Sequence, residues 1–184
     1  KQRAKLAFRK DVIEEGVIEK CAAYAARDHG DARRALELLR VAGEITERKN
    51  ENKIIVQHID GAEDKIERDR VLEQVNTQPK QFKLTLYSIF NVCTNGNSNG
   101  NPIFTGDIYE IYKQSCINCG LKPLTQRRVS DIIAELDMLG MINAKVISKG
   151  RYGRTREIKL AIPNATISKI NDILKEGLGL WRKL

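Results

Sequence analysis

The chain has 184 residues, of which 41% are hydrophobic and 30% are charged, and its formal net charge is +8. This length suits one large or two small domains with a buried core. No apolar run approaches the ~18 residues that a membrane-spanning helix needs, and no signal-peptide pattern opens the sequence. We therefore expect no membrane partner. Four cysteines are too few for a secreted disulfide scaffold, so we expect the reducing environment of the cell interior. Because the first residue is a lysine, we expect a piece of a longer protein.

The positive charge is concentrated in the second half of the chain. Residues 79–184 have sixteen Lys and Arg against eight Asp and Glu, whereas residues 1–50 have twelve against nine and residues 51–78 have four against seven. The surplus indicates an anionic partner for the second half, and nucleic acid is the commonest one. A basic surface with no partner is the alternative.

Three helices are predicted in the first half. The first, 14–28, has apolar residues at helical spacing, namely Val17, Ile18, Cys21, Ala22 and Ala25. Gly30 suits a left-handed helix end, and Asp31 suits the N-cap of a second helix over 32–48. The small and apolar face of that second helix comprises Ala32, Ala35, Leu36, Leu39 and Ala42. A polar break at 49–53 precedes a third, strongly charged helix over 56–75.

The segment 76–79 is predicted to be the domain boundary, because the charge balance changes sign there. Pro79 can begin a new helix at its first position. The chain is therefore predicted to consist of a helical domain over 1–78 and a second domain over 79–184.

The second domain is predicted to contain four helices and a hairpin. A helix over 80–92 buries Phe82, Leu86, Ile89, Phe90 and Cys93, and a flexible loop follows over 94–101. Thr105 or Asp107 caps a helix that runs to Cys116. A further helix over 125–139, with Thr125 as N-cap, has an apolar stripe of Val129, Ile132, Ile133, Leu136 and Leu139. Two strands, 141–148 and 155–162, and a last helix over 167–176 complete the domain.

Three helices followed by a hairpin is the order of a winged helix, which is a helix-turn-helix with an added hairpin called the wing. The predicted fold class is therefore mainly α with a small β-hairpin. In such folds the first turn of the recognition helix enters the major groove of DNA. The candidate contacts in the helix 125–139 are Thr125, Gln126, Arg127, Arg128 and Ser130. A solvated helix start is the alternative, although the helix dipole disfavours two arginines there.

The predicted wing is strongly basic at its tip. Residues 145–159 have six Lys and Arg against one Glu, and a wing lies against a nucleic-acid backbone or enters the minor groove. The candidate contacts are Lys149, Gly150, Arg151, Tyr152, Arg154 and Arg156. Tyr152 stacks on a sugar or packs on the hairpin stem, and the sequence favours packing slightly.

The pair Cys116-Ile-Asn-Cys119 has the spacing of a zinc knuckle. A tetrahedral site needs four ligands, and no second cysteine pair or histidine pair completes one. We therefore expect no metal and interpret these thiols as core or helix-end residues, with an internal disulfide as the lesser alternative.

Two stretches resemble one family. "CAAYAARDHGDARRALELLRVAGEITER" (21–48) is similar to the lid of archaeal replication initiators, relatives of the eukaryotic origin-recognition and cell-division-control ATPases in the AAA+ superfamily. "LTQRRVSDIIAELDMLGMI" (124–142) with "SKGRYGRTREIKL" (148–160) resembles their C-terminal winged helix. The resemblance implies a AAA+ lid over 1–78 and a DNA-binding winged helix over 79–184. It also implies that Arg33, the arginine of the GDAR motif, contacts the phosphates of ATP or ADP with Mg²⁺ in the intact protein.

One feature of the family is absent from this sequence, namely the phosphate loop GxxxxGK[ST] with its acidic Mg²⁺ site. We therefore expect this chain to have no cofactor and no ATPase activity of its own. The resemblance implies binding of double-stranded origin DNA in the cytoplasm, at the nucleoid, with the replicative helicase and other initiator subunits as further partners. Two alternatives remain, a protein-interaction module and a winged-helix transcriptional regulator.

Overall fold

The computed structural model describes residues 2–27, 30–96, 102–148, 150 and 153–180. The chain divides into two compact units, Lys1–Arg70 and Val71–Leu184. The predicted boundary at 76–79 lies a few residues after this division, which falls inside one helix, α4 (Val56–Thr77). The predicted mainly helical architecture with a small β-hairpin is confirmed, and a third strand that was not predicted joins the hairpin.

The first unit contains α1 (Gln2–Ala7), α2 (Val17–Arg27), α3 (Ala32–Arg48) and the first part of α4. The helix α1 was not predicted. The start of α3 confirms the sequence prediction, because Asp31 Oδ1 accepts a hydrogen bond from the backbone N–H of Arg33 at 2.8 Å and Gly30 has a φ of +71°. The core of this unit includes Val17, Cys21, Leu38, Leu39, Val41, Ala42, Ile54 and Ile59.

The predicted buried faces of α2 and α3 are only partly correct. Leu38 and Val41 are buried although they were not assigned to the apolar face of α3, whereas Ala32 on that face is exposed. On α2 the predicted Ala22 is exposed and Ile18 is only half-buried. The residues that were assigned to the core but are not fully buried line a cavity of about 750 Å³ in this unit; they are Ile18, Ala22, Ala32, Ala35 and Leu36.

Ion pairs join α2 and α3 to α4 inside the first unit. Lys20 Nζ lies 2.7 Å from Oδ1 of Asp60 and 2.8 Å from its Oδ2, and the Tyr24 hydroxyl donates to the same Oδ1 at 2.7 Å. Hydrogen bonds from Lys20 and Tyr24 hold the pKa of Asp60 below its ordinary value. These contacts hold α2 against α4, and ion pairs of Arg34 with Glu63 and Glu67 hold α3 against the same helix.

The second unit contains the rest of α4, then α5 (Lys80–Asn91), β1 (Ile103–Phe104), α6 (Thr105–Cys119), α7 (Gln126–Met138), β2 (Ile142–Ser148), β3 (Arg154–Leu160) and α8 (Asn164–Leu178). The strands form an antiparallel sheet in the order β1-β3-β2. Ile158 of β3 lies opposite Ile103 on one side and Ala144 on the other. Because Ile158 is buried, this point anchors the sheet in the core.

Local details differ from the sequence predictions. Pro79 is the N-cap of α5 and not its first residue. Residues Val92–Gly96 form a π-helical turn, which overlaps the predicted loop 94–101 at 94–96, and 97–101 lie outside the described residues. Phe104 is the N-cap of α6, while Asp107 accepts a hydrogen bond from the Phe104 N–H at 2.9 Å.

The core of the second unit confirms most of the predicted apolar positions. It includes Phe82, Leu86, Ile89, Phe90, Ile108, Tyr112, Val129, Ile132, Ile133, Leu136, Met141 and Ile170. Leu139 was predicted in the stripe but is 38% exposed, because it is the C-cap where α7 ends. Cys93 is only half-buried. No helix in the described ranges is both long and apolar enough to cross a bilayer.

Candidate nucleic-acid interface

The start of α7 is fixed by its cap. Thr125 has extended backbone geometry and its hydroxyl oxygen accepts a hydrogen bond from the Arg128 N–H at 3.3 Å, which confirms Thr125 as N-cap. Val129, Ile132, Ile133 and Leu136 are buried on one side of the helix. Gln126, Arg127 and Arg128 are exposed in its first turn, so their side chains are available to a ligand.

The segment that leads into α7 is held by a hydrogen-bonded network that the sequence did not predict. The Tyr112 hydroxyl donates to Gln81 Oε1 at 2.5 Å and accepts from the Leu124 N–H at 3.1 Å. Gln81 Nε2 donates to the Lys122 carbonyl at 3.0 Å, and the Tyr109 hydroxyl donates to the Leu124 carbonyl at 3.1 Å. Burial raises the pKa of Tyr112 to about 12, so its hydroxyl remains a donor at neutral pH.

The hairpin of β2 and β3 is the predicted wing. Its register extends from Ile142 opposite Leu160 to Ser148 opposite Arg154. Gly150 and Gly153 have φ values of +60° and +83°, and the Gly153 N–H donates to the Gly150 carbonyl at 3.1 Å. These two glycines therefore make the turn as predicted. The predicted contacts Lys149, Arg151 and Tyr152 lie outside the described residues.

An open groove of about 480 Å³ lies between the start of α7 and the hairpin. It is lined by Thr105, Gln126, Arg127, Ser130, Val146, Arg154, Thr155 and Arg156. Five of the predicted contact residues therefore come together, two from the hairpin and three from the helix. Thr125 and Arg128 belong to the same helix start but do not line the groove.

The groove has a concentrated positive charge. Arg127, Arg154 and Arg156 form no ion pair with any carboxylate in the described ranges. Arg128 differs, because its guanidinium lies 3.5 Å from Glu135 and 4.0 Å from Asp131. Three uncompensated guanidiniums in one groove produce a positive potential that attracts an anionic ligand, and guanidinium pairs well with phosphate.

Arg156 is bound within the protein. Its Nη1 donates to the Ser130 carbonyl oxygen at 2.6 Å and to the Ser130 hydroxyl oxygen at 3.0 Å. Both bonds join β3 to the middle of α7, across the groove. The sequence could not reveal this contact, because 26 residues separate the two partners.

Arg33 is an exposed residue in the first turn of α3. It lies at the cavity of about 750 Å³, together with Arg3 and Asp31, and no carboxylate in the described residues pairs with its guanidinium. The neighbouring Arg34 points elsewhere, since its Nη2 lies 2.9 Å from Glu63 and 2.8 Å from Glu67. Of the two arginines, Arg33 is therefore the one that can receive a phosphate.

The cysteines of the second unit contribute no site within the described residues. Cys116 is buried and Cys119 is half-buried, and both are reduced thiols. No group of three or more potential metal ligands occurs in the described part of the chain. Burial raises the pKa of Cys93 to about 11 and also raises the pKa of Cys116, so these thiols are protonated at neutral pH.

A helical unit with an arginine at a cavity, followed by a winged helix with a basic groove, defines the class of protein. Two family descriptions match in this order, "Cdc6 AAA+ ATPase-type lid domain" over residues 1–64 and "CDC6, C terminal winged helix domain" over residues 73–170. The chain belongs to the Cdc6 family, in which it comprises the lid and the winged helix. The predicted family and fold class are confirmed.

Relatives support this membership. The chain is 52% identical over 170 residues to an ORC1-type DNA replication protein 1 of Methanosarcina mazei, which covers 92% of this chain and 41% of the relative. It is 54% identical over 174 residues to an ORC1-type DNA replication protein of Thermococcus onnurineus, with 95% and 40% covered. The chain therefore spans about two fifths of the length of these curated relatives.

A solved structure is similar over the whole chain. The Aeropyrum pernix ORC1 protein in complex with DNA aligns with a TM-score of 0.79 and 47% identity, covering 100% of this chain and 46% of that one.

Proposed function

We propose that the second unit binds duplex replication-origin DNA in the groove between α7 and the hairpin, as part of a replication initiator. The observation that carries the proposal is the cluster of Arg127, Arg154 and Arg156, which line one open groove without a carboxylate partner in the described residues. The similar Aeropyrum pernix ORC1 structure contains DNA, which supports the same class of ligand here.

The groove divides into two kinds of contact. Arg127, with Gln126 and Thr125 beside it, starts α7 and reads base edges in the major groove, where arginine pairs bidentately with guanine. Arg154 and the tip residues Lys149, Gly150, Arg151 and Tyr152 contact the backbone or the minor groove. These tip contacts position the protein on the duplex and contribute little to discrimination between DNA sequences.

The first unit acts as a nucleotide-sensing lid in the intact protein. Arg33 contacts the phosphates of bound ATP or ADP with Mg²⁺, since a guanidinium at a helix start reinforces the positive end of the helix dipole. This chain has no phosphate loop and does not hydrolyse ATP by itself. The intact initiator acts in the cytoplasm, at the nucleoid, and engages the replicative helicase and other initiator subunits.

The test is duplex binding by the double variant Arg151→Ala/Arg154→Ala, measured by fluorescence anisotropy across a salt series. We expect weaker binding to origin and random duplexes alike. We also expect a log K versus log[salt] slope flatter by about 0.9 for each lost phosphate contact. The control is Lys122→Ala/Lys169→Ala, which removes two exposed lysines outside the groove. An unchanged slope and affinity in the first variant would remove the hairpin from the interface.

A further inference from the structure

The distal half of the hairpin lacks the apolar anchor that holds its base. At the base, Ile142 and Ile158 are buried, and Ala144 and Leu160 pack against the same core. Beyond the pair Ala144–Ile158, no residue of β2 or β3 is buried. Apolar packing therefore does not fix where the distal half lies relative to α7.

Hydrogen bonds from Arg156 connect the distal half of the hairpin to α7. In the described ranges, they are the side-chain hydrogen bonds that join this distal half to α7, at 2.6 Å and 3.0 Å from Ser130. Arg156 lies opposite Val146, two residues from the end of the paired strands. Ser130 lies one turn beyond Arg127. The Arg156–Ser130 hydrogen bonds therefore lie between the start of α7 and the tip of the hairpin.

We propose that Arg156 is a positioning residue, which ties the wing to the recognition helix so that both meet one DNA duplex as a single preorganised surface. This inference rests on the proposed function of the groove, and it reassigns Arg156 from a predicted DNA contact to an internal tether. A guanidinium suits the role because Nη1 alone has two N–H bonds and donates to both Ser130 oxygens. Binding by a preordered surface avoids the entropy of ordering the wing at the moment of association.

The test compares Arg156→Gln with Lys159→Gln. Both changes remove one positive charge from β3, but Lys159 is exposed, pairs with Glu157 at 3.3 Å and does not line the groove. The first readout is ¹⁵N relaxation of the DNA-free chain. We expect Val146 and Thr155 to lose order in Arg156→Gln while Ile142 and Ile158 keep theirs, and we expect no change in Lys159→Gln.

The second readout is duplex affinity at several salt concentrations. We expect Arg156→Gln to bind about tenfold more weakly, a magnitude typical of coupled neighbouring residues, with the same salt slope as Lys159→Gln. Arg156→Lys keeps a donor to Ser130 and should recover part of the order and of the affinity. Ser130→Ala removes only the 3.0 Å bond and should give a smaller loss of order.

The outcomes distinguish failure of the Arg156 tether from failure of the proposed DNA binding. Unchanged relaxation at Val146 and Thr155 in Arg156→Gln would overturn the tether, and a salt slope flatter by about 0.9 would then identify Arg156 as a phosphate contact. If the unmodified chain does not bind duplex DNA but Arg156→Gln loses order in the wing, the proposed function fails and the tether stands. A melting curve for each variant shows whether the domain is folded.

Discussion

Arg127 and Arg128 are adjacent in the chain but have different surroundings. Arg127 lines the groove, whereas Arg128 faces Glu135 and Asp131 along α7. The carboxylates neutralise Arg128 and compete with any phosphate for its guanidinium. Of these two arginines, we therefore expect Arg127 to read bases.

The substitution Arg127→Ala should reduce the difference in affinity between an origin duplex and random DNA. A bidentate arginine–guanine contact discriminates by roughly 1–3 kcal/mol. Arg128→Ala should instead weaken binding to both duplexes about equally and by less. Binding isotherms on both DNAs measure the difference. Melting curves serve as the control for folding, because substitutions at exposed sites usually change stability by only about 0.5 kcal/mol.

If Arg127→Ala remains folded and discriminates fully, α7 does not read bases through this residue. Specificity would then come from DNA shape or from a part of the initiator outside this chain.

Residues whose role depends on local chemistry were predictable from the sequence. Asp31 and Thr125 cap their helices because a short side-chain oxygen reaches the N–H two or three residues on. Arg156 was not predictable in this way, because its partner is fixed by the docking of a strand on a helix. Leu139 fits the helical period, but α7 ends one residue earlier and leaves this side chain partly exposed.

The position of α7 depends on the segment that precedes it. Tyr112 donates to Gln81 and accepts from Leu124, so one hydroxyl joins α5, α6 and the start of α7. The hydroxyl has little access to competing water, because Tyr112 as a whole is 0% exposed.

Replacing Tyr112 by Phe should destabilise the second unit by about 1–3 kcal/mol, since the Leu124 N–H and Gln81 Oε1 each lose a partner. It should also lower duplex affinity, because the first turn of α7 is less well held. Denaturant unfolding and anisotropy measure the two effects. Tyr87→Phe is the matched control, since Tyr87 lies on α5 and its hydroxyl makes no hydrogen bond within the described residues. Equal stability of the two variants would contradict this role for Tyr112.

The elements themselves were largely predictable, and the exceptions have physical causes. The helices of the second unit have clear apolar periods. The predicted strand 141–148 contains β2, and the predicted strand 155–162 overlaps β3, which begins one residue earlier at Arg154. The strand β1 has only two residues, too few to show an alternating pattern. The buried faces of α2 and α3 were misjudged because an apolar stripe does not reveal which part of it lines a cavity.

Over the whole chain, the net positive charge is distributed unevenly. The surplus of +8 lies in residues 79–184, which contain the groove, whereas Arg33 belongs to the first unit. The lid has an exposed arginine at a cavity, Arg33, but its sequence contains no phosphate loop.

Titration calorimetry of this chain with ATP and Mg²⁺ should therefore show no measurable binding. Backbone N–H groups of a phosphate loop supply most of the contacts to a nucleotide's phosphates, and one exposed arginine does not replace them. Arg33→Ala is the control and should behave like the unmodified chain. Micromolar binding that disappears in Arg33→Ala would show that the lid alone forms a nucleotide site.

The pairing register of β3 determines both which residue is buried in the core and which charged side chains line the groove. Side chains alternate along a strand, so Arg154 and Arg156 share a face with Ile158, which fills the core at the base. A slip of one residue would turn Thr155 and Glu157 to that face and expel the isoleucine to solvent. A slip that cancels the positive charge of the groove would therefore also expose the apolar anchor of the sheet. Insertions and deletions that change the wing by an even number of residues should be tolerated more readily than odd ones.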